Sequence, residues 1–139
     1  MAMNKIVLLI IVTILVSGSL IAQRQHKVVF EITSSDTADY SGVLRSVKNA
    51  LKDAPGTRIE IVCHGPAIFM LVKEKTVLAD AMQELQTKQA VSFAACANSM
   101  RKNNLDKSQL VTVATVVPNG VLEIVFKQED GWSYIKSGH

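Results

Sequence analysis

The reactive chemistry of this 139-residue chain rests on two cysteines and the one histidine away from its ends. Cys96 is the more telling. It follows Ala90-Val91-Ser92-Phe93-Ala94, a strand-type run, and Ala95 to Arg101 then turns at once toward a helix. A thiol at such a junction meets unpaired backbone N–H groups and the positive end of the helix dipole, which stabilise a thiolate. Ala94, Ala95 and Ala97 are small and leave room for a partner to reach the sulfur. The same position also suits a buried cysteine that acts as a small hydrophobe, and spacing alone leaves both readings open.

Cys63 and His64 form a weaker pair of site candidates after an earlier strand. An imidazole beside a thiol can act as its base or as the positive partner of a thiolate, but adjacent residues of an extended chain point to opposite sides. That favours a structural Cys63 and a His64 that caps the loop. No metal site or cofactor is expected: the cysteines stand 33 positions apart, no CxxC occurs, and His26 and His139 lie in the tails. Gly65 stands alone, without a glycine-rich phosphate loop, and no combination of Ser, His and acid is placed for hydrolysis.

Alternating elements must position these residues. Val28–Ile32 reads as a first strand, and Thr33-Ser34-Ser35-Asp36-Thr37 ends in helix-capping types. Val43, Leu44, Val47, Ala50 and Leu51 recur at helical period, and Ala54-Pro55-Gly56 stops that helix. Arg58–Val62 is a second strand, followed by a short apolar turn over Ile68–Leu71 and a helix through Val77, Leu78, Ala81, Met82 and Leu85. Glu84 and Lys88 form an i,i+4 pair on its exposed side. After the Cys96 junction and a helix ending near Asn103-Asn104, Leu110–Val116 reads as a fourth strand. Pro118 and Asn119 open a last helix, with the proline in its first turn, Gly131 closes it, and Trp132–Lys136 is a fifth strand. Strand and helix alternate, and the strands are mostly unbroken aliphatic runs. The expected fold is therefore α/β: a three-layer sandwich around a mostly parallel sheet of about five strands.

Three further expectations follow. A first strand at the centre, common in doubly wound sheets, would set the ends of strands two and three about 9 to 10 Å apart, beyond the Cα limit of about 7 Å for a disulfide, so both thiols should be free. Trp132 and Tyr134 should share one face of the last strand, in core or subunit packing. Val121, Leu122, Ile124, Val125 and Phe126 are too many apolar residues for one helix stripe, so Ile124 and Phe126 should belong to a self-association surface.

Residues 1–22 stand apart from this pattern. Lys5 precedes an apolar run from Ile6 to Val16 broken only by Thr13, and Ser17-Gly18-Ser19 then leads to Ala22, the order of a secretory signal peptide. The alternative is an uncleaved N-terminal membrane anchor, since Ile6–Ala22 makes about 25 Å of helix, at the short limit for a bilayer. Arg24 and Lys27 just beyond it suit an anchor. Either way, the single domain over residues 23–139 is expected to be exported, in a periplasmic or other extracytoplasmic place, with membrane contact only through an uncleaved segment. The whole chain carries 15 Lys and Arg against 12 Asp and Glu; loss of Lys5 leaves 14 against 12, with no basic run to grip nucleic acid.

Four stretches, in order and in register, resemble the DsrE/DsrF-like family: His64-Gly65-Pro66, Ala95-Cys96-Ala97-Asn98-Ser99-Met100-Arg101, Val117-Pro118-Asn119-Gly120-Val121, and Gly131-Trp132-Ser133-Tyr134-Ile135-Lys136. The resemblance spans about Lys27 to Lys136. It implies a small α/β fold that assembles as homo- or hetero-oligomers, and a role in sulfur relay. Relay members carry sulfur as a cysteine persulfide on the loop after the third strand, where Cys96 falls, and pass it between thiol or sulfane-sulfur donor and acceptor proteins. Such members are typically cytoplasmic, whereas this chain begins with an export-type segment. The leading expectation is an exported, thiol-reactive sulfur carrier that uses Cys96. The alternatives are a non-enzymatic oligomeric binding module with a structural Cys96, and a redox dithiol of Cys63 with Cys96.

Overall fold

Five short strands, each followed by a helical segment except the last, build one sheet in a computed structural model that describes residues 25–138. The expected signal peptide or anchor over residues 1–22, and His139, lie outside the described residues. Strand β1 is Lys27–Ile32, and Asp36 caps helix α1 (Thr37–Asp53) by accepting the Ala38 N–H at 2.8 Å. Strand β2 (Arg58–Cys63) leads into a 3-10 helix over Gly65–Leu71, then helix α2 (Ala79–Lys88) and strand β3 (Val91–Cys96). Helix α3 (Ala97–Lys102), strand β4 (Ala114–Val117), helix α4 (Gly120–Glu129) and strand β5 (Ser133–Ser137) complete the domain.

All strand pairs are parallel, in the order β4-β3-β2-β1-β5. The chain therefore steps outward from β1 through β2 and β3 to β4, then crosses back to the other side of β1. Right-handed crossovers put the first helices on one face and require the helix of the returning crossover on the other. The packing follows that rule. Phe30, Ile32, Ile59, Ile61, Cys63, Phe93 and Ala95 meet Val43, Val47, Met70, Met82 and Leu85 on one side, while Val29, Val62 and Ala94 meet Ile124 of α4 and Trp132 on the other.

Several sequence expectations change. β2, not β1, is the central strand, and it pairs directly with β3. The fourth strand is shorter than Leu110–Val116: Asp106 starts a 3-10 turn over Lys107–Gln109, Leu110 bridges Val72, and the Val111 N–H donates to the Leu71 carbonyl at 2.8 Å. Leu110, Val111 and Val113 are apolar because they line the core as a packed loop, which strand propensity cannot distinguish from a sheet. Val77 is 96% exposed and precedes α2, so the buried face of that helix starts later, with Met82 and Leu85. Pro118 lies before the last helix rather than in its first turn. Asn119 is the cap, accepting from the Val121 and Leu122 N–H groups. The Glu84–Lys88 pair is present at 2.9 Å, and Gly131 has φ 81, as a left-handed cap requires.

A polar cluster fastens α4 to the sheet. Glu60 of β2 is 7% exposed, and its Oε2 accepts from Lys127 Nζ at 2.8 Å and from the Ser92 hydroxyl at 3.0 Å. Lys127 also reaches Glu123 at 3.5 Å and lies over the Trp132 ring, 4.6 Å from its centroid. Glu60 Oε1 is buried without a partner, and a protonated Glu123 carboxyl is the donor that can serve it. Burial, then a hydrogen bond to Glu60 and the Glu60 charge, push Glu123 upward against the opposing pull of Lys127.

A carboxyl whose folded pKa is raised contributes stability at acidic pH that is lost as pH rises through the folded value. Glu123→Gln keeps a donor without that titration, so its stability relative to wild type should grow between about pH 5 and about pH 8 in urea unfolding. A pH-independent difference contradicts the shared proton. Lys127→Met removes the counter-charge of Glu60 and should cost about 2 kcal/mol or more in the same assay at neutral pH.

Candidate functional site

The alternation of β-strands decides which of the candidates can meet. Cys63 pairs in register with Ala95, and both point into the core shared with α1 and α2. The next position on each strand, His64 on one and Cys96 on the other, therefore faces the α4 side. The two cysteines are free, although β2 and β3 are neighbours. They stay apart because their side chains leave opposite faces of the sheet, not because a strand separates them as the sequence suggested. The redox dithiol reading has no geometry here.

Cys63 is fully buried, with its Sγ 4.0 Å from Met70 Sδ, and burial pushes its thiol far above the ordinary range. A thiol that does not ionise is a poor nucleophile. As a chemical candidate it drops out.

Cys96 sits in a different environment. It is the last residue of β3 and the N-cap of α3. Burial by itself raises its thiol, but the polar groups of Gly120, Ser99 and Asn98 around it outweigh that, and the thiol falls below its ordinary value, although the side chain makes no capping hydrogen bond to the first turn of α3. Two helix starts thus lie beside Cys96, α3 continuing from its own strand and α4 resting on it at Gly120. The residue is only 4% exposed, so small flanking alanines do not leave the sulfur open as expected from the sequence. The start of α4 covers it.

Gly120 makes that cover possible. A Cβ there would stand 3.0 Å from His64 Cβ, 3.2 Å from Cys96 Cβ and 3.3 Å from Val62 Cγ1. Any side chain would push the helix start away from the sulfur. Ser99, 7% exposed, ties the other side: its Oγ accepts the Gly65 N–H at 2.7 Å, which leaves the hydroxyl proton for Cys96. Gly65 reaches this position with φ 58, a backbone state that glycine adopts freely.

His64 stands beside Cys96. Its Nε2 lies 2.7 Å from Glu31 Oε1, and the other oxygen of Glu31 accepts the Tyr134 hydroxyl. Both side chains of the His64–Glu31 pair are mostly shielded, at 18% and 16% exposure. Burial works to raise Glu31, yet the hydrogen bonds from Tyr134 and His64, with the charges of His64 and Lys136, hold it below the usual carboxylate range. The same contact pushes Tyr134 up to about 12. Trp132 and Tyr134 do share a face, but Trp132 packs in the core below α4 while Tyr134 reaches this network.

Sequence reading brought out Cys96 and His64 but assigned no role to Ser99, Gly120 or Glu31, and gave Tyr134 only a packing role. Ser99 and Gly120 lie in the motif stretches noted above, and a lone glycine at a helix start opposite a cysteine was the available signal. Glu31 carried none, because one acid within a strand reads as its solvent face. Among the described residues, no group of three or more His, Cys, Asp and Glu is arranged to hold a metal ion, and no helix is long and apolar enough to cross a membrane.

If the donors around Cys96 set its ionisation, Ser99→Ala and Gly120→Ala in a Cys63→Ser background should each move the midpoint of the alkylation rate against pH upward by about one unit. An unmoved midpoint in both variants contradicts this assignment.

The comparisons with known proteins agree with this architecture. The model of the DsrE/DsrF-like family matches residues 26–137. No curated protein matches. Among solved structures, the protein of unknown function MTH1491 from Methanobacterium thermoautotrophicum superposes with a TM-score of 0.76 at 30% sequence identity, covering 81% of this chain and 99% of that one.

Proposed function

Since this chain belongs to the DsrE/DsrF-like family, we propose that it is a thiol-reactive sulfur carrier, holding sulfur as a persulfide on Cys96. The observation that carries this reading is the placing of Cys96 at the start of α3 and against Gly120 at the start of α4, where the polar groups of Gly120, Asn98 and Ser99 lower its thiol. In loading, the Cys96 thiolate attacks the outer sulfur of a donor persulfide, and the donor leaves as a thiolate. In unloading, an acceptor thiol takes that sulfur and Cys96 returns as a thiolate. The same donors suit an anionic outer sulfur, because backbone N–H groups at helix starts bind small anions without regard to their identity. Donor and acceptor are thiol or sulfane-sulfur carrying partners.

The site of action we propose is outside the cytoplasm, on the strength of the Ile6–Val16 run and the small residues after it. Full-length chain found soluble in the cytoplasm on fractionation contradicts that.

A second reading, an oligomeric binding module with a structural Cys96, draws on the outer face of α4. Val121, Leu122 and Phe126 are each more than two-fifths exposed on α4, whereas Ile124, assigned to this surface from the sequence, is 6% exposed and belongs to the core; Ile135, also exposed, lies on the opposite face of β5. The two readings share a homo-oligomer and differ at the sulfur.

Intact mass separates them. After incubation with a sulfane donor, wild type and Cys63→Ser should gain the mass of one sulfur atom that dithiothreitol removes, and Cys96→Ser should gain none. Equal gain by Cys96→Ser refutes the carrier and leaves the module. For the assembly, Phe126→Glu should sediment as a smaller species than wild type at micromolar concentration; a monomeric wild type contradicts self-association.

A further inference from the structure

We infer that His64 is the proton carrier for sulfur transfer at Cys96, with Glu31 and Tyr134 as its positioning residues; the inference rests on the carrier reading above. Register places the pair. Cys63 lies opposite Ala95, so His64 and Cys96 follow side by side on neighbouring strands, about 4.8 Å apart, on the same face. The space over Gly120 confirms the proximity, since both Cβ atoms lie within 3.2 Å of the point that a Gly120 side chain would occupy.

The network behind His64 determines which nitrogen is available. Glu31 is an acceptor held in its charged form, so the 2.7 Å contact to His64 Nε2 places the hydrogen on Nε2. Nδ1 is then the nitrogen whose lone pair can take up a proton. Tyr134 fixes the far oxygen of Glu31. Glu31 from β1 contacts His64 directly, with Tyr134 and Lys136 from β5 acting on that carboxylate, while Cys96 and the uncharged backbone of Gly120 lie on its other side and Ser99 holds the adjacent Gly65 N–H. A nucleophile, a base and a carboxylate that orients the base recur wherever a sulfur or oxygen atom must exchange protons during attack.

The transfer step balances without an oxidant or reductant. The acceptor thiol gives its proton to His64 Nδ1, and the proton passes to the outer sulfur of the Cys96 persulfide. The acceptor thiolate attacks that sulfur and forms the new S–S bond. The old S–S bond breaks, and its electron pair returns to Cys96 Sγ, whose thiol the surrounding groups already hold below its ordinary value. The products are an acceptor persulfide and the Cys96 thiolate.

Two arms test this in the Cys63→Ser protein. In the first, Cys96 is loaded with a polysulfide and single-turnover transfer to glutathione is followed against pH. In the second, Cys96 is held as a mixed disulfide with a small thiol and its exchange with glutathione is followed, which needs no carried sulfur. His64→Gln should slow both by about a hundredfold near neutral pH and remove an inflection from the rate–pH profile, with Glu31→Gln intermediate. Persistence of that inflection in His64→Gln, or wild-type rates in both arms, overturns the inference. If polysulfide fails to load wild type while His64→Gln still slows the exchange and flattens its profile, the carrier reading fails and the proton role of His64 stands.

Discussion

The close approach of Gly120 to the ends of β2 and β3 is the contact on which the rest of the site depends. A hydrogen atom in place of a side chain lets the start of α4 rest on Val62, His64 and Cys96 at once. From that contact come the nearness of the Gly120 backbone to Cys96 and the shielding of the residue from solvent. These effects oppose each other. Burial disfavours a thiolate and nearby polar groups favour it, and here the groups of Gly120, Ser99 and Asn98 outweigh the loss of hydration.

Topology explains why α4 is available for this role. A chain that steps in one direction from β1 to β4 stacks its first helices on one face of the sheet, and among the described residues the return to β5 carries the helix of the other face. That helix is fastened at two levels. Asn119 and Gly120 fix its start against the strand ends, and Lys127 and Glu123 fix its middle to Glu60. The outer side of α4 is left with apolar residues that its own sheet cannot cover.

Much of this was legible in the order of elements, because aliphatic strands, capped helices and the glycine after α4 each have local signatures. Cys96 was legible for the same reason, as a thiol at a strand-to-helix junction. What sequence could not carry was pairing across the sheet. The position of β2 beside β3 depends on the direction of each crossover, and it changes the reason the cysteines stay apart from distance to facing. Glu31 and Tyr134, 103 residues apart, meet only because β5 returns beside β1. Leu110 to Val113 misled for the opposite reason: burial of a loop and burial of a strand select the same residues.

The carrier role depends on a Cys96 thiol that the groups of Gly120, Ser99 and Asn98 hold below its ordinary value against the effect of burial. The direct measurement is the ultraviolet absorbance of the thiolate in the folded Cys63→Ser protein, followed against pH, with Cys63→Ser/Cys96→Ser as the blank. A midpoint below the ordinary thiol value of about 8.5 is the expected result. A midpoint at or above that value contradicts it, since burial would then prevail over the donors and Cys96 would be a structural thiol.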